Sequence, residues 1–271
     1  MKKRLSVALT FNVRMLQRGL LLLLAGMMSA MSQASDLNVM STVAFKPAFA
    51  KLAKQYLQDT GTTLHITYGT IASLKKQIDG GATADVILLS RPVLDALQEQ
   101  GKVACGSIVN IGSSYVAIGV RAGTSKPDIS TPEKLKSALL SAKSISYADP
   151  AKGGASGVYF ASVIRQLDIA EQLKNRTVLV PGAEAGEMVV QGRAEIAVAQ
   201  ASEIAAVPGT QVVGPLPGAF NRTIIFAAGI GATSTASAAA HALIALLTSP
   251  IGIATLNAGG MDAAKAGLIR H

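Results

Sequence analysis

Five short stretches of this 271-residue chain carry the residue types that gripping a small anion requires. They are Ser41-Thr42-Val43, Gly69-Thr70-Ile71-Ala72-Ser73, Ser90-Arg91, Gly154-Ala155-Ser156 with Tyr159 close behind, and Gln200-Ala201-Ser202. Hydroxyls donate through rotatable O–H bonds, and glycine lets a ligand approach backbone N–H groups closely. Each stretch follows a strand-like segment, where open parallel sheets bind their ligands. Most also open a helix-like segment, whose first N–H groups lack partners and whose dipole favours negative charge. Arg91 adds a planar guanidinium able to hold a carboxylate through two bonds. Taken singly, Thr70, Ser73 and Ser156 fit equally well as helix N-caps. Their shared place at one sheet edge, with a Gly-rich run in each half of the chain, points to anion binding. Tyr159 or Phe160, on the helix after the second Gly-rich run, faces the same cleft.

Other chemistries lack their signatures. There is no GxxxxGK[ST] phosphate loop, and Lys152-Gly153-Gly154 does not supply one. Gly229-Ile230-Gly231 lacks the third glycine of a dinucleotide fingerprint, and Gly154-Ala155-Ser156-Gly157 has the wrong spacing for a nucleophile elbow. The three histidines are scattered: His65 is mid-strand, His241 lies in an Ala-rich helix and His271 is terminal. A Ser-His-Asp hydrolase and a His-rich zinc site are therefore disfavoured. The single cysteine, Cys105, excludes an internal disulfide and is expected to be buried and inert. No metal or organic cofactor is implied.

The elements that must position these loops alternate regularly. Strands are expected at 37–41, 64–68 and 85–89, and helices at 46–59, 71–79 and 92–100. Phe45, Phe49, Leu52 and Tyr56 are spaced by four, three and four, which is one helical face. A longer strand-like run covers 114–121, and a second alternating block follows, opened by the Thr131-Pro132-Glu133 helix start. In that block strands are expected at 144–148, 177–180 and 194–199, and helices from 132, over 156–167 and over 183–191. Gly214-Pro215-Leu216-Pro217-Gly218 reads as a turn before a second long run at 223–230, and helices at 236–247 and 250–258 close the chain. The pattern predicts an α/β protein of two domains, each a mostly parallel sheet flanked by helices, with two crossing strands as hinge. The expected boundaries are 35–116 plus 223–271 for the first domain and 117–222 for the second.

Composition agrees with a folded chain: 49% hydrophobic, 15% charged and 4% aromatic. Residues 1–34 hold five basic residues, no acid, the apolar run GLLLLLAG from Gly19 to Gly26, and a small-residue exit at Ser32-Gln33-Ala34. This describes a secretory signal peptide removed near Ala34, with Met15 as a second possible start, and the apolar run is too short to span a membrane. Without that leader 20 Lys and Arg face 16 Asp and Glu, so the formal +9 falls to +4. The charge is mild and forms no block, which argues against nucleic acid and suits a small anionic ligand. The expected protein is exported to the periplasm and makes no stable membrane insertion.

The stretches LNVMSTVAFKPAFAKLAKQY, ITYGTIASLKKQIDGGATADVILLS and ISYADPAKGGASGVYFASVI resemble the periplasmic molybdate-binding protein family, which are type II periplasmic binding proteins. That resemblance covers nearly all of the chain after the leader. It implies a ligand held in the interdomain cleft. It also implies that a liganding serine is replaced by Ala44, another by Ile71, and a liganding tyrosine by Gln200, with a Gly-rich loop one residue longer. A larger or differently shaped anion is then expected. STPEKLKSALLSAKSISYADPAKGGASGVYFA and VVGPLPGAF are more similar to the aconitate isomerase branch of this superfamily. That similarity implies interconversion of trans- and cis-aconitate by a proton shift along an allylic unit. Backbone N–H groups and Arg91 would neutralise the tricarboxylate, and one base, which the sequence does not single out, would shuttle the proton. The alternative implied is a non-catalytic receptor that hands a molybdate-like oxyanion or a small carboxylate to an ABC permease.

Overall fold

The structure, a computed structural model, describes residues 36–152 and 154–263. The expected leader, its cleavage position and Met15 lie outside the described residues, as do Gly153 of the second Gly-rich run and the terminal His271.

β1 (Leu37–Thr42) runs parallel to β2 (Leu64–Gly69) on one side and to β3 (Val86–Ser90) on the other. Helices α1 (Lys46–Thr60), α2 (Ile71–Asp79) and α3 (Arg91–Glu99) follow these strands in turn. Pro47 sits in the first turn of α1, and Gly61 ends it in the left-handed conformation at φ 69°, a geometry that costs glycine little. The face predicted from spacing is the buried one: Phe49, Leu52 and Tyr56 join Phe45 in the core. β9 (Thr223–Ile230) then pairs antiparallel with both β3 and β4 (Val109–Arg121).

β4 runs on beyond its pairing with β9. Its later residues pair antiparallel with β7 (Ile196–Gln200) and β8 (Thr210–Pro215). β7 is parallel to β5 (Ile145–Ala148), and β5 to β6 (Thr177–Val180). The strand order is β2-β1-β3-β9-β4-β7-β5-β6, with β8 on β4. Helices α4 (Pro132–Ser141), α5 (Ala155–Gln166), α6 (Ala170–Leu173), α7 (Ala185–Val190) and α8 (Ala201–Ala205) alternate with these strands. The last helices, α9 (Ser237–Thr248) and α10 (Pro250–Ala258), bring Leu243, Leu247 and Leu256 into the core that holds Phe45 and Leu52. Between outgoing β4 and returning β9, Val116 N donates to Arg222 O at 3.3 Å and Tyr115 pairs with Thr223.

Three sequence expectations are corrected. β4 begins at Val109 rather than 114, because Gly112 and the buried Ser113 and Ser114 interrupt its apolar pattern and a register shift falls between Asn110 and Gly112. Gly214 and Pro215 belong to β8 rather than to a turn. Among the described strands β8 pairs only with β4, and proline at the end of such an edge strand removes no ladder bond. Cys105 is exposed rather than buried, since it lies in the turn before β4 beside Gly106 at φ 70°. A maleimide reagent should therefore label Cys105 fully in the native protein. Labelling only after denaturation, read by intact mass, would contradict its placement. Among the described residues, no single helix is long and apolar enough to cross a membrane.

Candidate functional site

The carboxyl ends of β1, β2, β5 and β7 converge on a small cavity of about 30 Å3. Thr42 ends β1, Thr70 follows β2, Ala148 ends β5 and Gln200 ends β7, while Gly154, Ala155 and Ser156 open α5. Ala44, Ile71, Ile224 and Phe226 supply apolar wall, and Glu203 from α8 completes it. A wider hollow of about 500 Å3 shares Gly69, Thr70, Gly182 and Glu203 with the cavity and adds Lys46, Tyr68, Glu184 and Glu187.

Two side chains lining the cavity carry buried polar atoms without partners. Thr42 Oγ1 is buried without a hydrogen-bond partner, and so are both Nε2 and Oε1 of Gln200. Each such atom costs about 1–3 kcal/mol unless something satisfies it. Together they offer a hydroxyl and an amide, both able to donate to an anion. The opening of α5 adds to them. Its N-cap is Gly154, with no side-chain cap, so its first N–H groups are not taken by a capping hydroxyl. Gly157 permits this arrangement: a Cβ there would overlap the Ala148 carbonyl oxygen, so only glycine lets α5 start hard against the end of β5. Among the described residues lining the cavity, none is Lys or Arg. Positive potential must come from the N-termini of α2 and α5, with the exposed Lys46 nearby.

Glu203 is the one ionisable side chain among the described residues lining the cavity. Its Oε2 accepts the backbone N–H of Gln200 at 3.1 Å, which fixes the carboxyl beside the end of β7. Burial of the carboxyl pushes its pKa up to about 7, against the lowering effect of the Gln200 N–H and with a further rise from the charge of Glu184. Burial also raises the Tyr68 phenol to about 12, so it stays protonated and can donate at the edge of the wider hollow.

The structure brings some of the expected residues together and leaves others apart. Thr42, Thr70, Gly154, Ala155, Ser156 and Gln200 line the cavity. Ser41, Ser73, Ser90, Arg91 and Tyr159 do not. Thr70 and Ser73 cap α2 reciprocally: Ser73 N donates to Thr70 Oγ1 at 3.1 Å, and Ser73 Oγ to Thr70 O at 3.0 Å. Ser41 Oγ donates to Thr42 O at 3.1 Å, and Ser90 occupies the N-cap of α3. Arg91 Nε donates to Asp95 Oδ1 at 2.7 Å and Nη1 to Asn110 Oδ1 at 3.2 Å, so its guanidinium is engaged away from the cavity. The Tyr159 hydroxyl donates to Phe220 O at 3.0 Å, with the Arg222 guanidinium 5.2 Å above its ring, and Phe160 is fully buried in the core. Nothing in the sequence pattern marks Glu203. The available signal is its position three residues past Gln200, within the same strand-end loop. Among the described residues, no cluster of three His, Cys, Asp or Glu could hold a metal ion.

The family model of bacterial extracellular solute-binding proteins matches residues 37–262. Aconitate isomerase from a Pseudomonas species is 32% identical over 239 residues, which cover 85% of this chain and 89% of that protein. The molybdate-binding protein ModA of Azotobacter vinelandii is 25% identical over 184 residues, covering 66% of this chain and 70% of the other. Among solved structures, the periplasmic molybdate-binding protein of Azotobacter vinelandii superposes with a TM-score of 0.66 at 20% identity, covering 83% of this chain and 98% of that one. At that identity the likeness bears on the fold alone.

Proposed function

The chain belongs to the bacterial extracellular solute-binding proteins, and from that premise we propose that it is an isomerase built on a binding-protein fold. Its substrate would be a small tricarboxylate, aconitate, whose trans and cis forms it interconverts by an allylic proton shift in the cavity between the lobes. Residues 36–116 with 223–263 form one wall of the cleft, and 117–222 the other. The protein works in the periplasm after loss of its leader near Ala34.

The observation that carries this proposal is the mixed lining of the cavity. Thr42 and Gln200 wait unpartnered, but Ala44, Ile71, Ile224 and Phe226 stand beside them. A tetrahedral oxyanion needs donors on every side, and here several sides are hydrocarbon. An unsaturated acid needs both: donors for its carboxylates and apolar contact for its C=C unit. The size of the site agrees. A cavity of about 30 Å3 has room for about two waters. A three-armed acid would place one arm there and spread the others through the adjoining hollow of about 500 Å3. Thr42, Thr70, Ser156, Gln200 and the N–H groups of Gly154 and Ala155 form the proposed ligand set. Arg91 is left out because Asp95 and Asn110 already occupy its guanidinium. Similarity to the aconitate isomerase supports the catalytic reading, and similarity to ModA supports a second one, a receptor that delivers an anion to a permease.

Proton NMR of the protein with trans-aconitate in deuterated water separates them. Appearance of cis-aconitate carrying deuterium is the expected result. Absence of turnover, together with a rise in melting temperature on adding molybdate, would replace the isomerase with the receptor. A ligand at a hundred times its Kd stabilises the folded state by about 2.7 kcal/mol, well within reach of a thermal melt.

A further inference from the structure

Within the isomerase reading, on which this inference rests, we propose that Glu203 is the base that lifts the proton from the substrate and returns it. A 1,3-proton shift needs one group able to reach both ends of a three-carbon unit. Among the described residues lining the inner cavity, Glu203 alone can exchange a proton near neutrality. It also lines the wider hollow, so it stands where the two spaces meet. Its neighbour Gln200 grips Oε2 through the backbone N–H at 3.1 Å while keeping its own side-chain amide free for substrate. A passive anion receptor gains nothing from a carboxyl in this place, because its charge would repel the ligand. A proton carrier requires one.

The step balances without any co-reactant. A carboxylate oxygen of Glu203 takes a proton from the methylene carbon, and that C–H electron pair moves into the allylic unit. The double bond forms between this carbon and the central carbon, and the former vinylic carbon receives the proton back. Between the two transfers, negative charge spreads over the allylic unit and its carboxylates, where Thr42, Gln200 and the first N–H groups of α5 can stabilise it. The surroundings suit a group that must both take and give. Burial holds the Glu203 carboxyl near neutrality, so both forms are populated. Among the described residues, the other ionisable groups facing the shared space are Glu184 and Glu187, Lys46 at the start of α1, and Tyr68 at the end of β2. Of these, Glu184 opposes ionisation of Glu203.

The test compares wild type, Glu203→Gln and Glu203→Asp with trans-aconitate in deuterated water, across pH. Gln preserves the acceptor for the Gln200 N–H, so the fold and the rise in melting temperature on adding trans-aconitate should survive in Glu203→Gln. Its turnover should fall by about 10²–10⁴-fold, and deuterium uptake with it. Wild-type kcat/KM should rise with pH through about 7, because the base must be ionised, and the residual activity of Glu203→Gln should lose that limb. Glu203→Asp should keep the limb at reduced kcat, and decides the matter if the Gln variant is unstable. An active wild type with a Glu203→Gln variant within tenfold of it, and with the same pH profile, would overturn the assignment alone. A wild type that binds trans-aconitate but neither converts nor deuterates it would overturn the isomerase reading, and Glu203 with it.

Discussion

Replacing Gly157 with alanine should reduce the melting temperature by several degrees and, under the proposed isomerase function, lower turnover of trans-aconitate about a hundredfold. The added methyl group would overlap the Ala148 carbonyl oxygen and stand 2.7 Å from its carbonyl carbon and 3.0 Å from its Cβ. Backbone cannot swing aside as a long side chain can, so the start of α5 must move off the end of β5. Overpacking of this kind costs about 1–3 kcal/mol. In a chain of this size each kcal/mol lowers the melting temperature by about 2–4 °C. The larger effect falls on the site, because Ala148, Gly154, Ala155 and Ser156 all line the cavity and move together. A displacement of about 1 Å at such a site costs about a hundredfold in rate. Calorimetry and NMR turnover on the same sample measure both effects. An unchanged variant would mean that β5 and α5 do not meet as described.

Phe45→Ala should destabilise the fold more than Gly157→Ala does, by about 3–5 kcal/mol. Phe45 is fully buried in the short turn Val43–Phe45 that joins β1 to α1. Its ring meets Phe226 edge to face at 5.7 Å and 85°, and lies 6.4 Å from Phe49. Such aromatic contacts add to the area buried. Phe226 also lines the cavity, so a void at Phe45 loosens the wall that the substrate would touch. Urea denaturation should show a lower midpoint with unchanged slope. Leu57→Ala, at an exposed position of α1, should stay within about 0.5 kcal/mol of wild type and serves as the control. Equal losses in the two variants would contradict the assigned core.

Much of this architecture is legible in the sequence because it is written at short range. The 4-3-4 spacing from Phe45 to Tyr56 gives the buried face of α1. Thr131 caps α4 as its Thr-Pro-Glu start implies, accepting from Lys134 N at 3.3 Å. The rule that ligands gather at the carboxyl ends of parallel strands brings Thr42, Thr70, Ser156 and Gln200 into one list. Arg91 shows the limit of that rule. Its place in sequence is right for the site, but Asp95 lies one helical turn away and captures the guanidinium first. Glu203 shows the opposite limit. In Gln-Ala-Ser-Glu it resembles any surface acid, and its character arises because α8 packs against the Val43–Phe45 turn, more than 150 residues away in sequence, and against β4, β7 and β8. β8 stays hidden for the same reason, since only β4 gives Thr210–Pro215 its strand conformation.

Outgoing β4 and returning β9 run side by side. Outgoing Tyr115 and returning Thr223 are paired neighbours, and the next residues, Val116 and Arg222, share a hydrogen bond. The chain from 117 to 222 therefore leaves and rejoins the sheet at adjacent points. A cut at that seam would fall inside β4, whose Val116 pairs with Gln200 and whose Ser114 hydroxyl accepts from Ser202. Ser156, Gln200 and Glu203 therefore lie on one excursion of the chain and Thr42 and Thr70 on another, so a single cavity is lined from two separate stretches of sequence.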